Sequence, residues 1–506
     1  MSPGLEIGAG PIDLATLRRA AAPGTALRLS PDAVRRIDEA RLVVDAYAGS
    51  DTPVYGLNTG LGANVGLRLD AAAIDAFQTQ LILGRCVGIG EALPEPVARL
   101  ALLCRIIGLT RGGAGVSPQV VDQMIRLYNA GVTPVIPGRG SIGAGDLSLC
   151  AHLASVAIGR GEAWVQGRRM PGAEALTAAG LAPIPLKAKD GIGLINASAV
   201  SCGHAAVVLG DLGDWLVLSV ATAALAGEGY AANPAIFDAR LAEARPARGQ
   251  VRAAALFRMA LAGSVLYDPG ASRSIQDALS FRVLSQIYAP VLDGVDGLVD
   301  SVEIEINAAA DNPLILAEDQ LILSTANFHT PAIALGFDGM ALALASLAAA
   351  SAQRVMRLMN PALSGLPKYL SPVGGVSAGL NALQKTVAAL YGEIRLKAAP
   401  ASLDALTVSE TVEDHAPQTP LAIRKLAEQL DLLRPLIAIE ALAAAQAVDL
   451  RGRPRLAGVT QRLYDAVRTL VPMLTEDRET GRDVDTVTAL FRERSLIDGL
   501  GLTLAG

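Results

Sequence analysis

Everything after Ser198 reads as long stretches rich in alanine and leucine, and that pattern limits the fold more than any single motif. Apolar residues recur at helical spacing over Ser198–Ala226, Gln250–Leu266, Tyr288–Ala308, Phe328–Met359, Ala378–Ala398, Pro420–Gln446 and Thr460–Leu474. Hydrophobic residues make up 51% of the 506-residue chain and aromatic ones only 4%, so the apolar mass is aliphatic. Alanine and leucine are the strongest helix formers. The expected fold is mainly α, a long-helix bundle.

Residues 1–197 have a different texture. Glycine and proline punctuate shorter helical stretches at Pro31–Ala48, Ala71–Gly84, Pro94–Gly108 and Pro118–Asn129. Pro134-Val135-Ile136-Pro137 breaks the chain into a glycine-rich loop. A helix resumes near Asp146, which has N-cap chemistry, and Ala163–Arg168 reads as a small hairpin. The expected organisation is a Gly-rich N-terminal loop and helix region, 1–197, followed by the bundle, 198–506.

Composition narrows the partners. A net charge of −6 and a pI near 5.4 argue against nucleic acid or an anionic membrane surface. The longest apolar tract, Met340–Ala352, is short for a bilayer and runs into Arg354 and Arg357, so a buried core helix is expected. A mean hydropathy of +0.38 then predicts that apolar surface goes into subunit contacts. Cys86, Cys104, Cys150 and Cys202 are widely spaced with no CxxC, as expected of small apolar residues in a reducing cytoplasm. No secretory leader is evident, and the expected location is cytoplasmic. No metal-ligand cluster is visible, and Gly56, Gly60 and Gly62 lack the lysine and strand–helix context of a phosphate cradle.

Eight segments carry candidate functional residues. Val54-Tyr55-Gly56-Leu57-Asn58-Thr59-Gly60-Leu61-Gly62 is a loop holding a tyrosine and an asparagine, and Leu83–Glu91 carries Arg85. Gly140-Ser141-Ile142-Gly143-Ala144-Gly145-Asp146-Leu147 is a second glycine-rich loop. Lys189-Asp190-Gly191 leads to Asn196, and Gln276-Asp277-Ala278-Leu279-Ser280-Phe281 leads to Arg282. Glu305 to Pro313, Asn327-Phe328-His329 and Glu413-Asp414-His415 complete the set. In this order and spacing they resemble the motifs of the histidine and phenylalanine ammonia-lyase family, and the resemblance extends over most of the chain.

The resemblance implies roles. Tyr55 matches the tyrosine that removes the β-proton, and Asn58 is placed to orient the substrate carboxylate. Arg282 matches the arginine that grips that carboxylate, work suited to a planar fork. Asn196 stands beside the leaving amine, Phe328 packs near the cofactor ring and Glu413 faces the amine. Taken alone, Arg282 or Glu413 also reads as a structural ion pair. His329 and His415 read by default as satisfied buried histidines, and His152 and His204 as helix residues. The family further implies a homotetramer whose sites form where subunits meet, acting on a small molecule.

The departures narrow the chemistry. In the family an Ala-Ser-Gly tripeptide precedes the loop aspartate and cyclises to a methylidene-imidazolone electrophile. Here Gly145 follows Ala144 directly, ahead of Asp146, and the serine that would supply the methylidene carbon is missing. No such cofactor is expected. Arg85 stands where histidine ammonia-lyases have a histidine, Leu279 replaces a tyrosine, Val412 a glutamine, and Thr325-Ala326 a glycine pair.

A quaternary ammonium needs no electrophile, because it is already a charged leaving group. The loop is similar in this respect to the ergothionases, a cofactor-lacking branch of the family. That implies a carbon–nitrogen lyase taking ergothioneine to trimethylamine and thiourocanate. Leu279 and Val412 would then line a pocket for a bulky cation, and Arg85 would face the thione. Two alternatives stay open: an ammonia-lyase or aminomutase of ordinary type, and a degenerate homologue with a binding role. Retention of Tyr55, Asn196, Arg282 and Glu413 argues against the last.

Overall fold

The computed structural model describes residues 4–22, 24–60, 66, 68–69, 73–403 and 406–504. It is mainly helical, as expected, with short two- and three-stranded sheets. Leu61, Gly62 and the first residues of the expected Ala71–Gly84 helix lie outside the described residues.

The chain forms two compact units, each discontinuous in sequence. The first comprises Met1–Val208, Leu298–Phe337 and Pro400–Arg424. Its helices Pro31–Ala48 and Pro118–Asn129 have the expected bounds. Ser30 caps the former, its hydroxyl accepting from Ala33 N at 3.1 Å. The expected hairpin is Glu162–Val165 paired with Arg168–Pro171, and Val132–Pro134 adds a third strand. Gln166 and Gly167 turn it with φ of 51° and 74°, the left-handed pair a two-residue hairpin favours.

The second unit comprises Leu209–Gly297, Asp338–Ala399 and Lys425–Gly506. Small residues let its helices touch along their backbones. A Cβ on Gly229 would stand 2.9 Å from the Ala447 methyl and 3.0 Å from Ala444 O. Several helix ends differ from expectation for identifiable reasons. The Ala378–Ala398 stretch begins its helix at Leu383, because Asp477 takes the Ser377 hydroxyl and the Ala378 and Gly379 amides into a turn. Gln250–Leu266 stops at Ala260, and Gly263 with φ +82° starts a new turn. The Phe328–Met359 helix begins at Pro331, which leaves Phe328 and His329 in the preceding turn.

Two helices, Asp190–Tyr230 and Pro331–Leu358, are long and apolar enough to cross a membrane by length and composition. The most apolar stretch of the first is 94% buried in the chain, that of the second 50%. The second is thus less enclosed than the core helix expected around Met340–Ala352.

Candidate active site

The first unit assembles most of the expected residues. Tyr55 occupies a turn whose shape is fixed by Asn58. The Asn58 side chain accepts from Val54 N at 2.7 Å and donates to Thr52 O at 2.9 Å. Both ends of that amide are engaged inside the loop, so Asn58 shapes the tyrosine turn. Gln78, fully buried, ties the turn to the rest of the unit. It donates to Gly56 O at 3.3 Å and accepts from Gly191 N at 2.9 Å. Tyr55 opens onto a cavity of about 650 Å³ shared with Pro53, Thr59, Arg68 and Pro313.

Arg85 follows the Ile74–Leu83 helix and is half-buried. Burial lowers the basicity of its guanidinium, while the charges of Tyr55 and Glu413 act in the opposite sense. Arg85 thus lies within electrostatic reach of both the expected base and the expected amine-facing carboxylate. Glu413 is held by antiparallel pairing with Val408, through hydrogen bonds of 3.0 and 3.3 Å. Val412 beside it is exposed. Gly88 N donates to His152 Nε2 at 3.1 Å, which anchors the Arg85 segment to the helix leaving the second glycine-rich loop.

That loop is tightly built. Asp146 does begin the Leu147–Ser155 helix, but at φ 43° and without capping it through its side chain. Its buried carboxylate instead accepts from Ser201 N and Ser141 Oγ, both at 2.8 Å, and so caps the start of the Ala199–Tyr230 helix. Burial raises its carboxyl above the usual range against those hydrogen bonds. Gly145 has φ +84°, and a Cβ there would meet Asn196 Oδ1 at 2.6 Å and Phe328 Cβ at 3.4 Å. Asn196 and Phe328 therefore stand over Gly145. Asn196 is steadied by donation to Asn312 O at 3.0 Å.

The same geometry tests the family's cofactor. The residues present do not fit a methylidene-imidazolone: there is no serine between Ala144 and Asp146 to supply its methylidene carbon.

His329 and His415 are not the buried, separately satisfied residues expected. His329 is half-buried and His415 exposed, and they contact each other, Nε2 to Nδ1, at 2.8 Å. Among the described residues no group of three or more His, Cys, Asp or Glu is arranged to hold a metal.

Leu279 and Arg282 belong to the second unit, on the four-residue helix Leu279–Arg282. Leu279 is exposed. Phe281 stacks on Tyr230 with centroids 4.2 Å apart, and Arg354 Nη1 donates to Ser280 O at 3.2 Å. Arg354 is itself paired with Glu440, both buried. Sequence reasoning missed Arg354, Glu440 and Gln78. Their signal was present as single polar residues inside otherwise apolar helical faces.

This helical fold, with a tyrosine loop and a glycine-rich loop under an Asn–Phe pair, defines a class. Residues 12–469 match the aromatic amino acid lyase family, and the chain belongs to it. It is a carbon–nitrogen lyase, 37% identical over 512 aligned positions to the histidine ammonia-lyase of Stigmatella aurantiaca, with 100% of this chain and 99% of that one covered. Among solved structures it is similar to the ergothionase of Treponema denticola in complex with desmethyl-ergothioneine sulfonic acid. The TM-score is 0.94 at 31% identity, covering 99% of each chain. The histidine ammonia-lyase of Trypanosoma cruzi gives 0.89 at 28% identity, over 98% of this chain and 94% of that one.

Proposed function

We propose that this lyase eliminates trimethylamine from a betaine of the histidine skeleton, ergothioneine foremost, yielding thiourocanate without a methylidene-imidazolone. The observation that carries the reading is the Ala144-Gly145-Asp146 loop, which lacks the serine the electrophile requires. The likeness to an ergothioneine-degrading enzyme over 99% of the chain supports it.

In this reading Tyr55 takes the β-proton, the C–H electrons become the new double bond, and the Cα–N bond breaks with its pair on nitrogen. Trimethylamine departs neutral and needs no proton or covalent partner. Before departure the cation is held by the Glu413 charge and the Phe328 ring face. Arg282 grips the carboxylate, Arg85 faces the thione sulfur, and Leu279 and Val412 border the bulky cation. Asn196 stands beside the breaking bond, while Asn58 holds Tyr55 in position.

The site is completed by a neighbouring subunit in a cytoplasmic homotetramer, which brings Leu279 and Arg282 to Tyr55. The half-enclosed apolar stretch of Pro331–Leu358 supports such an assembly. A small molecule is the only partner required.

The second reading is an ordinary histidine ammonia-lyase, favoured by relatives of that name at 37–38% identity. Against it stands the loop. Ultraviolet difference spectra with ergothioneine, hercynine and histidine in turn decide between them. The expected result is a conjugated acrylate and trimethylamine from ergothioneine, slower turnover of hercynine, and none of histidine. Ammonia release from histidine at a comparable rate would establish the second reading instead.

A further inference from the structure

Two histidines unused by the proposed elimination sit at the edge of the shortened loop. Their ring centroids are 5.0 Å apart and their facing nitrogens 2.8 Å. Each lies close in sequence to a residue that the proposed elimination uses, since Phe328 precedes His329 and Glu413 lies two before His415. The backbone of His329 pairs with Ala144, and Gln418 N donates to Ile142 O at 2.9 Å. The Thr330 and Thr419 hydroxyls meet at 2.9 Å. Both histidine segments therefore grip the same loop and each other.

At this separation one ring nitrogen donates and the other accepts. The arrangement survives with the pair neutral or carrying one added proton. A second proton removes the accepting lone pair and sets two cations against each other. Of the nearby charged groups, Asp146 is turned to Ser141 and Ser201, and Glu413 and Asp414 share the His415 segment. The titratable group that acts on His329 is His415. Burial first, and His415 after it, push the His329 imidazole below its ordinary range.

We propose that His329 and His415 form a one-proton clasp that positions Phe328 and Glu413 over the shortened loop and opens when a second proton binds. The clasp rests on the reading of those two residues as pocket residues, so the test includes a measurement that needs no substrate. Nitrogen-15 NMR of the histidine-labelled protein should show two coupled titration steps for the pair. The backbone signals of Phe328 and Glu413 should shift with the lower step. His329→Gln and His415→Asn place an amide where the lost ring nitrogen stood, and each should leave the surviving imidazole with a single step.

In turnover of ergothioneine, His415→Ala should lower kcat on the order of 10²-fold, the cost of a small misplacement. His415→Asn should recover most of that loss and abolish the step in the acid limb. Independent single-step titrations in the unaltered protein would overturn the clasp, as would Ala and Asn variants that share its pH profile. If ergothioneine is not turned over at all, the betaine reading fails, and the NMR titration still decides the clasp.

Discussion

A free phenol ionises near pH 10, so a tyrosine serving as a base near neutrality needs help from a cation or hydrogen bonds. Arg85 is within electrostatic reach of Tyr55. Tyr55→Phe should cut kcat by roughly 10²–10⁴-fold while leaving ligand binding nearly intact, since it removes the proton acceptor and little volume. Near-full activity in that variant, measured by trimethylamine release, would move the base elsewhere. Arg85→Ala should erase the preference for ergothioneine over hercynine, and a preserved ratio of kcat/KM would show that Arg85 does not read the sulfur. At this scale the motif positions of Tyr55, Arg85, Asn196, Phe328 and Glu413 were legible because each sits in a short, distinctive string. The in-loop bonding of Asn58 was not. Its in-loop bonds to residues 52 and 54 depend on a turn geometry that residue identity alone does not specify.

The helices of the second unit were legible as elements because their periodicity runs for many turns. Their ends were not, because Asp477 and Gly263 set them through contacts or backbone angles that periodicity does not encode. The short Leu279–Arg282 helix also has distant support. Arg354 holds its Ser280 carbonyl, and Glu440 neutralises Arg354 in a buried setting. Glu440→Gln leaves that guanidinium without its counter-charge, which should cost about 3–5 kcal/mol. Denaturant unfolding should register the loss, and KM should rise as Arg282 loses its platform. Unchanged stability and KM would separate the ion pair from the carboxylate grip.

For the whole molecule, two buried groups oppose each other as pH changes. Burial and the nearby Arg424 lower His204 to about 4, so the unfolded chain binds the extra proton and stability is lost as pH falls from 6.5 toward 4. Burial raises Glu305 to about 7, so the folded chain binds the extra proton and stability is lost as pH rises from 4.5 toward 7. Relative to the unaltered protein, His204→Gln should gain stability toward acid and Glu305→Gln toward neutrality. Denaturation midpoints that shift in parallel across pH would refute the opposition. The proposed assembly has its own test. Tyr55→Phe and Arg282→Met should each be inactive, and mixed, refolded subunits should recover part of the activity by uniting intact halves. Hybrids of confirmed composition that stay inert would place both residues of a site on one chain.

The packing of Asn196 and Phe328 over Gly145 also bears on how this lineage can change. A serine substituted at residue 145 would meet an amide oxygen at 2.6 Å and would still lack the glycine that follows it in the family loop. Writing the tripeptide back takes either a serine inserted between Ala144 and Gly145 or two substitutions, Gly143→Ala and Ala144→Ser. No single substitution in this loop therefore restores the tripeptide, whereas one in-frame insertion does.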